Sequence, residues 1–129
     1  MARFYLAAKY DKRLQLVEIA EQLRGLGHMV QAEWLDGSHE SGRHNPADWA
    51  ARDMFDIDAC THFVLFNLPL DQQEPSSGRF FEFGYAVACG KICMSVGPGE
   101  CIFLACAQRF ETLDGFLAEV RIQREESAP

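Results

Sequence analysis

A surplus of positive charge is the first thing this 129-residue sequence lacks. It carries 12 Lys and Arg against 19 Asp and Glu, a net of −7 with its four His neutral. Nucleic acids are held through clustered Lys and Arg, and the densest basic group here is only Lys9, Lys12 and Arg13. A nucleic-acid partner is therefore not expected, whereas a small nucleotide needs only a local positive spot. No apolar run approaches the ~20 residues that cross a bilayer, so no membrane partner is expected. Met1-Ala2-Arg3 leads straight into an apparent strand without a signal-peptide pattern. The five cysteines (Cys60, Cys89, Cys93, Cys101, Cys106) are odd in number and show neither CxxC nor a Cys/His zinc spacing. They read as buried thiols in a reducing cytoplasm, with no metal. A P-loop and a GxGxxG after the first strand are both missing, which excludes the usual triphosphate and dinucleotide cradles. No cofactor is expected.

What is present is enough for one domain with a substantial core, since 48% of the residues are apolar. Phe4 to Ala8 is a short apolar run of the kind that fills a buried parallel strand. Asp11 can cap a helix carrying Leu16, Ile19, Leu23 and Leu26, and Gly27 stops it. Met29 to Leu35 reads as a second strand, followed by a polar loop from Asp36 to His44. Asn45-Pro46 starts a second helix, with Ala50, Met54 and Ile57 along one of its faces. Thr61 to Phe66 is a third strand, Asn67 to Ser77 a proline-containing loop, and Gly78 to Ala88 a third helix closed by Gly90-Lys91. Ile92 to Val96 is a fourth strand. The short apolar Ile102-Phe103-Leu104 precedes a last helix from about Thr112 to Val120.

Strands alternating with helices at this pitch predict an α/β, flavodoxin- or Rossmann-like three-layer fold. Its parallel sheet is expected to have about five strands in the order 2-1-3-4-5. Residues 1–122 are expected to form a single domain and 123–129 a polar tail. Ligands in that strand order sit where the winding reverses, at the carboxyl ends of strands one and three. The loops expected to carry a site are Ala8 to Lys12 and Asn67 to Gly78.

Glu82 is the most informative residue. It is the only charge between Phe80 and Cys89, and its neighbours along the helix face are Tyr85, Ala86 and Cys89. Such a carboxylate either complements its own helix dipole or is held desolvated in an apolar wall, where perturbed acids do chemistry. There it can serve as a base, or as a nucleophile toward a sugar anomeric carbon. A second acid then protonates the leaving group. Asp53, Asp56 and Asp58 share the second helix, and spacing alone leaves the choice among them open. Tyr5, inside the first strand, is either core or a hydroxyl that orients Glu82. Lys9 at the first helix, and Ser76, Ser77 and Arg79 around the start of the third, can bind a phosphate or a sugar hydroxyl. His39 and His44 in the polar loop fit no strong ligand pattern, and Trp34 and Trp49 beside it either stack a base or pack in the core.

These residues bring a family into view. The chain resembles the nucleoside 2-deoxyribosyltransferase superfamily, which includes the deoxynucleoside 5′-monophosphate N-glycosidases. The resemblance runs through Tyr5-Leu6-Ala7-Ala8, Leu26-Gly27-His28 and Asp53. It is most specific in Gly78-Arg79-Phe80-Phe81-Glu82-Phe83-Gly84-Tyr85-Ala86 followed by Gly90-Lys91. It implies that Glu82 is the nucleophile attacking C1′, that Tyr5 orients it, and that Asp53 contacts and helps protonate the base. Ser76 then falls where the monophosphate hydrolases of the family bind phosphate. Ala8, Lys9, Ser76, Ser77, Gly78 and Arg79 become the substrate-binding set, around a nucleoside or its 5′-monophosphate. The glycine-containing loop after strand one in many relatives is replaced here by Ala7-Ala8-Lys9-Tyr10. A homodimer or higher homo-oligomer is implied as well, consistent with the aromatic third helix. Two other functions fit the same scaffold: a non-catalytic nucleotide-sensing module, and a glycohydrolase of a larger nucleotide such as NAD.

Overall fold

A computed structural model describes residues 1–37, 45–67, 78–99 and 101–127 of the chain. Its elements in order are β1 (Arg3–Ala7), α1 (Arg13–Gly25), β2 (Met29–Val30), α2 (Pro46–Ala59), β3 (His62–Phe66), α3 (Gly78–Ala88), β4 (Ile92–Val96), β5 (Gln108–Phe110) and α4 (Leu113–Ser127). The strands form one five-stranded sheet in the order β2-β1-β3-β4-β5, and every pairing is parallel. This is the expected three-layer α/β arrangement, with its reversal of winding between β1 and β3.

The core follows from strand alternation. Successive side chains of a strand point to opposite faces, so Phe4 and Tyr5 go opposite ways. Phe4 meets Phe116 of α4 edge-on at 6.3 Å, and Phe66 meets the same ring at 6.1 Å. Tyr5 stacks on its register partner Phe63 at 5.6 Å, and Phe63 stacks on Phe83 of α3 at 6.2 Å. The aromatic column Tyr5–Phe63–Phe83 is thus the floor on which α3 lies. Phe4, Tyr5, Leu6, Phe63 and Phe66 are nearly inaccessible, as residues of a parallel sheet covered on both faces must be, and Phe83 of α3 is buried against them.

Local signals account for the helix ends. Asn45 caps α2, its side chain accepting the Asp48 N–H at 3.0 Å, with Pro46 at the first helical position. α3 ends in a left-handed turn at Gly90 (φ 75°), where Lys91 N–H reaches back to the Ala86 carbonyl at 3.0 Å. Only glycine adopts that backbone without strain, so the helix stops where the sequence predicts.

Four expectations change. Asp11 is not a helix cap: it lies inside a 3₁₀ turn, Tyr10–Lys12, and α1 begins after it without a side-chain cap. The second strand is only Met29–Val30, because Glu33–Asp36 curls into a 3₁₀ turn. The buried carboxylate of Asp56, 2% exposed, accepts the Glu33 N–H at 2.9 Å and Gln31 Nε2 at 3.3 Å, and this pins the turn. Ile102–Cys106 is a 3₁₀ turn, and the fifth strand is the polar Gln108–Phe110 beyond it. The last helix also runs on through Ser127.

Candidate functional site

Three elements converge at the crevice outside β1 and β3. β1 supplies Tyr5, α2 supplies Asp53, and α3 supplies Glu82 one turn into the helix. The Tyr5 hydroxyl donates to Glu82 Oε2 at 2.6 Å, a short bond of the kind formed to a charged acceptor. Glu82 also shares a hydrogen bond with Asp53. Two carboxyl groups can be joined in this way only if one of them keeps a proton. The pair therefore comes with one acid and one carboxylate at hand.

Burial pushes the Glu82 carboxyl above the usual carboxylate range, and the hydrogen bonds with Tyr5 and Asp53 offset part of that rise by favouring the ionised form. Tyr5 is raised well above an ordinary phenol, first by burial and then by the negative charge of Glu82. It therefore stays protonated and acts only as a donor. One proton shared between Glu82 and Asp53 leaves the pair able to offer an acid and a carboxylate side by side.

These side chains line a cavity of about 300 Å³ together with Ala8, Tyr10, Trp34, Ala50, Met54, Gly78, Arg79 and Phe81. That volume suits a small molecule. Trp34 is nearly buried and donates its indole N–H to the Leu6 carbonyl at 2.9 Å. Tyr10, in the turn after β1, packs against it at 6.0 Å. The two rings make an aromatic wall with a fixed edge. Phe81 is 64% exposed while also lining the cavity, so it stands at the mouth.

The sequence-expected residues divide plainly. Tyr5, Ala8, Asp53, Gly78, Arg79 and Glu82 are brought together. Lys9 leads into the 3₁₀ turn and is not part of the cavity wall. Ser76 and Ser77, like His39 and His44, lie outside the described residues. The tie among the aspartates resolves on contacts: Asp56 supports the turn after β2, and Asp58 accepts the Tyr85 hydroxyl at 2.6 Å, tying α2 to α3. Tyr10 and Phe81 join the wall although nothing in their own chemistry marks them in the sequence. Tyr10 follows directly on Lys9 in a loop expected to carry the site, and that is the only signal for it. Among the described residues no three His, Cys, Asp or Glu side chains cluster closely enough to hold a metal ion, and no helix is long and apolar enough to cross a membrane.

The architecture matches a CMP N-glycosidase of Clostridium botulinum with a TM-score of 0.67, at 18% identity, over 93% of this chain and 98% of that one. It matches a 2-deoxyribosyltransferase of Bacillus psychrosaccharolyticus equally well (TM-score 0.67), at 22% identity, over 93% and 90% of the two chains. The fold is that of the 2-deoxyribosyltransferases. A third such structure, from Leishmania mexicana, aligns at a TM-score of 0.67 and 15% identity, over 93% of this chain and 97% of its own. Neither a protein-family model nor a curated protein matches the sequence. The strand order β2-β1-β3-β4-β5 puts the crevice between β1 and β3, and Tyr5, Glu82 and Asp53 line it.

Proposed function

We propose that the protein cleaves the N-glycosidic bond of a nucleoside or nucleoside 5′-monophosphate, with Glu82 as the nucleophile. The observation that carries this reading is the Tyr5–Glu82 hydrogen bond inside a small-molecule cavity, with Asp53 hydrogen-bonded to the same carboxylate. The fold shared with a CMP N-glycosidase and with 2-deoxyribosyltransferases supports the same chemistry.

In this reaction a Glu82 oxygen attacks C1′, forming a C1′–O ester bond as the C1′–N bond breaks. The base leaves with the bonding electrons and takes a proton from Asp53. A negative oxygen beside C1′ also stabilises the oxocarbenium character of the transition state. Water or a second base then attacks C1′ and gives its proton to Asp53, and Glu82 is regenerated as the carboxylate. Tyr5 fixes the attacking oxygen throughout. The aromatic wall of Trp34 and Tyr10 gives the base a surface to stack on. Ala8 and Gly78, small residues of the cavity wall, leave room for the sugar. Phe81 at the mouth supports the expected self-association, which sedimentation tests: a monomer contradicts it.

The reaction is tested by incubating the protein with single nucleosides and 5′-monophosphates, with and without a second base, and following free base by chromatography. Release of base supports the reading, and exchange of base marks a transferase. Nucleotide binding without turnover of any of them points to a sensing module instead.

A further inference from the structure

Both α2 and α3 run back from the carboxyl ends of parallel strands, so they lie side by side in one direction. At the level of the site the cavity stands between them. Ala50, Asp53 and Met54 line it from α2, and Arg79, Phe81 and Glu82 from α3. Side chains cannot interlock across an open volume, so packing at that level does not fix the distance between the helices. Yet the hydrogen bond shared by the Asp53 and Glu82 carboxyls depends steeply on that distance. Something outside the cavity has to hold it.

One turn further along, the two helices are tied directly. Asp58 follows Met54 by four residues on α2, and Tyr85 follows Glu82 by three on α3, so each shares a helix face with a cavity residue. The Tyr85 hydroxyl donates to Asp58 Oδ1 at 2.6 Å, a short bond of the charge-assisted kind. The Asp58 backbone carbonyl accepts Lys91 Nζ at 2.8 Å, which puts a cation at the negative end of α2. Lys91 leads into β4, so the last turn of α2 is held from α3 and from the sheet together. The Tyr85 phenol is pushed up, first by its bond with Asp58 and then by a bond with Cys89 one turn on, so it remains a donor.

We propose that Tyr85 is a positioning residue: by holding Asp58 it sets the spacing of α2 and α3, and with it the sharing of one proton between Asp53 and Glu82. This deepens the proposed function and rests on it, since that pair supplies the acid and the nucleophile. A shared proton favours the singly ionised pair, so the first proton leaves more easily and the second less easily than from separate acids. Loosening the helices weakens the sharing and draws the two steps together. The titratable and charged groups facing the pair are Tyr5 of β1, Tyr10 of the turn after it, Arg79 of α3 and, beyond Tyr5, Asp56 of α2. Tyr85→Phe leaves all of them in place.

Carbon-13 NMR titration of the Glu82 and Asp53 carboxyls tests it without any substrate, alongside the pH profile of base release. The wild-type pair is expected to titrate in two separated steps, and Tyr85→Phe to bring them about one pH unit closer, moving the acidic limb of the rate profile up and the basic limb down. Asp58→Ala should do the same, and in the Tyr85→Phe background it should change the separation no further. Asp58→Asn keeps an oxygen for the Tyr85 hydroxyl and should retain the wild-type separation. Loss of the Asp58 charge alone moves both steps in one direction, so the two causes are told apart. A separation untouched by Tyr85→Phe in a protein that still melts cooperatively overturns the proposal, as does one that Asp58→Asn and Asp58→Ala shrink equally. If Tyr85→Phe does not fold, Asp58→Ala decides in the same way. Steps that draw together in a chain that releases no base remove the glycosidase reading and leave the positioning role. Base release with unmoved steps does the reverse, and failure of both removes both.

Discussion

The hydroxyl of Tyr5 and the carboxylate of Glu82 meet at 2.6 Å although 77 residues separate them in the chain. The bond joins the first strand to the third helix over the aromatic floor of Phe63 and Phe83. It aims one particular oxygen of Glu82, Oε2, and favours its ionised form against the larger cost of burial.

Tyr5→Phe removes that donor and leaves the ring. Base release is expected to fall about ten- to a hundredfold, as for loss of one bond to a reacting carboxylate. The pH profile carries the sharper signature. Glu82 must be ionised to attack, so its activity is lost as the pH falls through its raised pKa. The Tyr5 bond lowers that pKa, and removing the bond moves the acidic limb to higher pH. A limb that stays in place separates Tyr5 from Glu82 function.

Asp53 and Asp56 sit on one helix and should respond oppositely. Asp53→Asn takes away the acid and is expected to cut base release by at least about a hundredfold with little change in melting temperature. Asp56→Asn weakens the hold on the Glu33 N–H and the turn after β2. It should cost about 1–3 kcal/mol of stability while the folded fraction keeps its activity. Parallel measurements of rate and thermal melting distinguish the two.

His62 sets a pH limit on stability. Burial, with His28 and the N-terminus nearby, lowers its pKa below the ordinary 6.5. The unfolded chain therefore binds the proton more readily than the folded one. Stability is fully present above about pH 6.5 and is lost as the pH falls through the folded-state value. His62→Asn should flatten the melting temperature across that window. Glu82 works with the opposite sign, because its folded pKa is raised: its contribution is present at low pH and lost as the pH climbs through that value. Glu82→Gln should accordingly make the protein less sensitive to rising pH in the weakly acid range.

How much of this is legible in the sequence depends on how local each signal is. β1, β3 and β4 announce themselves as short, mostly apolar runs, since strands buried on both faces leave little alternation. The end of α3 is readable because Gly90 is a backbone requirement written in one residue. The extent of β2 is not: Trp34 and Leu35 look like strand residues, but Trp34 turns its indole to the Leu6 carbonyl and Asp56 from α2 pins the turn. Those contacts are 28 and 23 residues apart and cannot be seen in a local pattern. β5 escapes notice because Gln108 and Arg109 on an edge strand carry no apolar period. At the site, Glu82 stands out as the one charge between Phe80 and Cys89. The part played by Tyr85 does not stand out at all, since an aromatic on a helix face looks like packing until Asp58 is seen against it.

The rate of base release by Glu82→Gln, compared with the wild-type chain at equal folded concentration, tests the central claim most directly. Glutamine keeps the size and still accepts the Tyr5 hydroxyl, so folding and cavity shape are retained while the nucleophile is lost. A fall of about a thousandfold or more is the result expected. A rate within about tenfold of wild type contradicts the assignment and sends the search for the nucleophile elsewhere in the cavity.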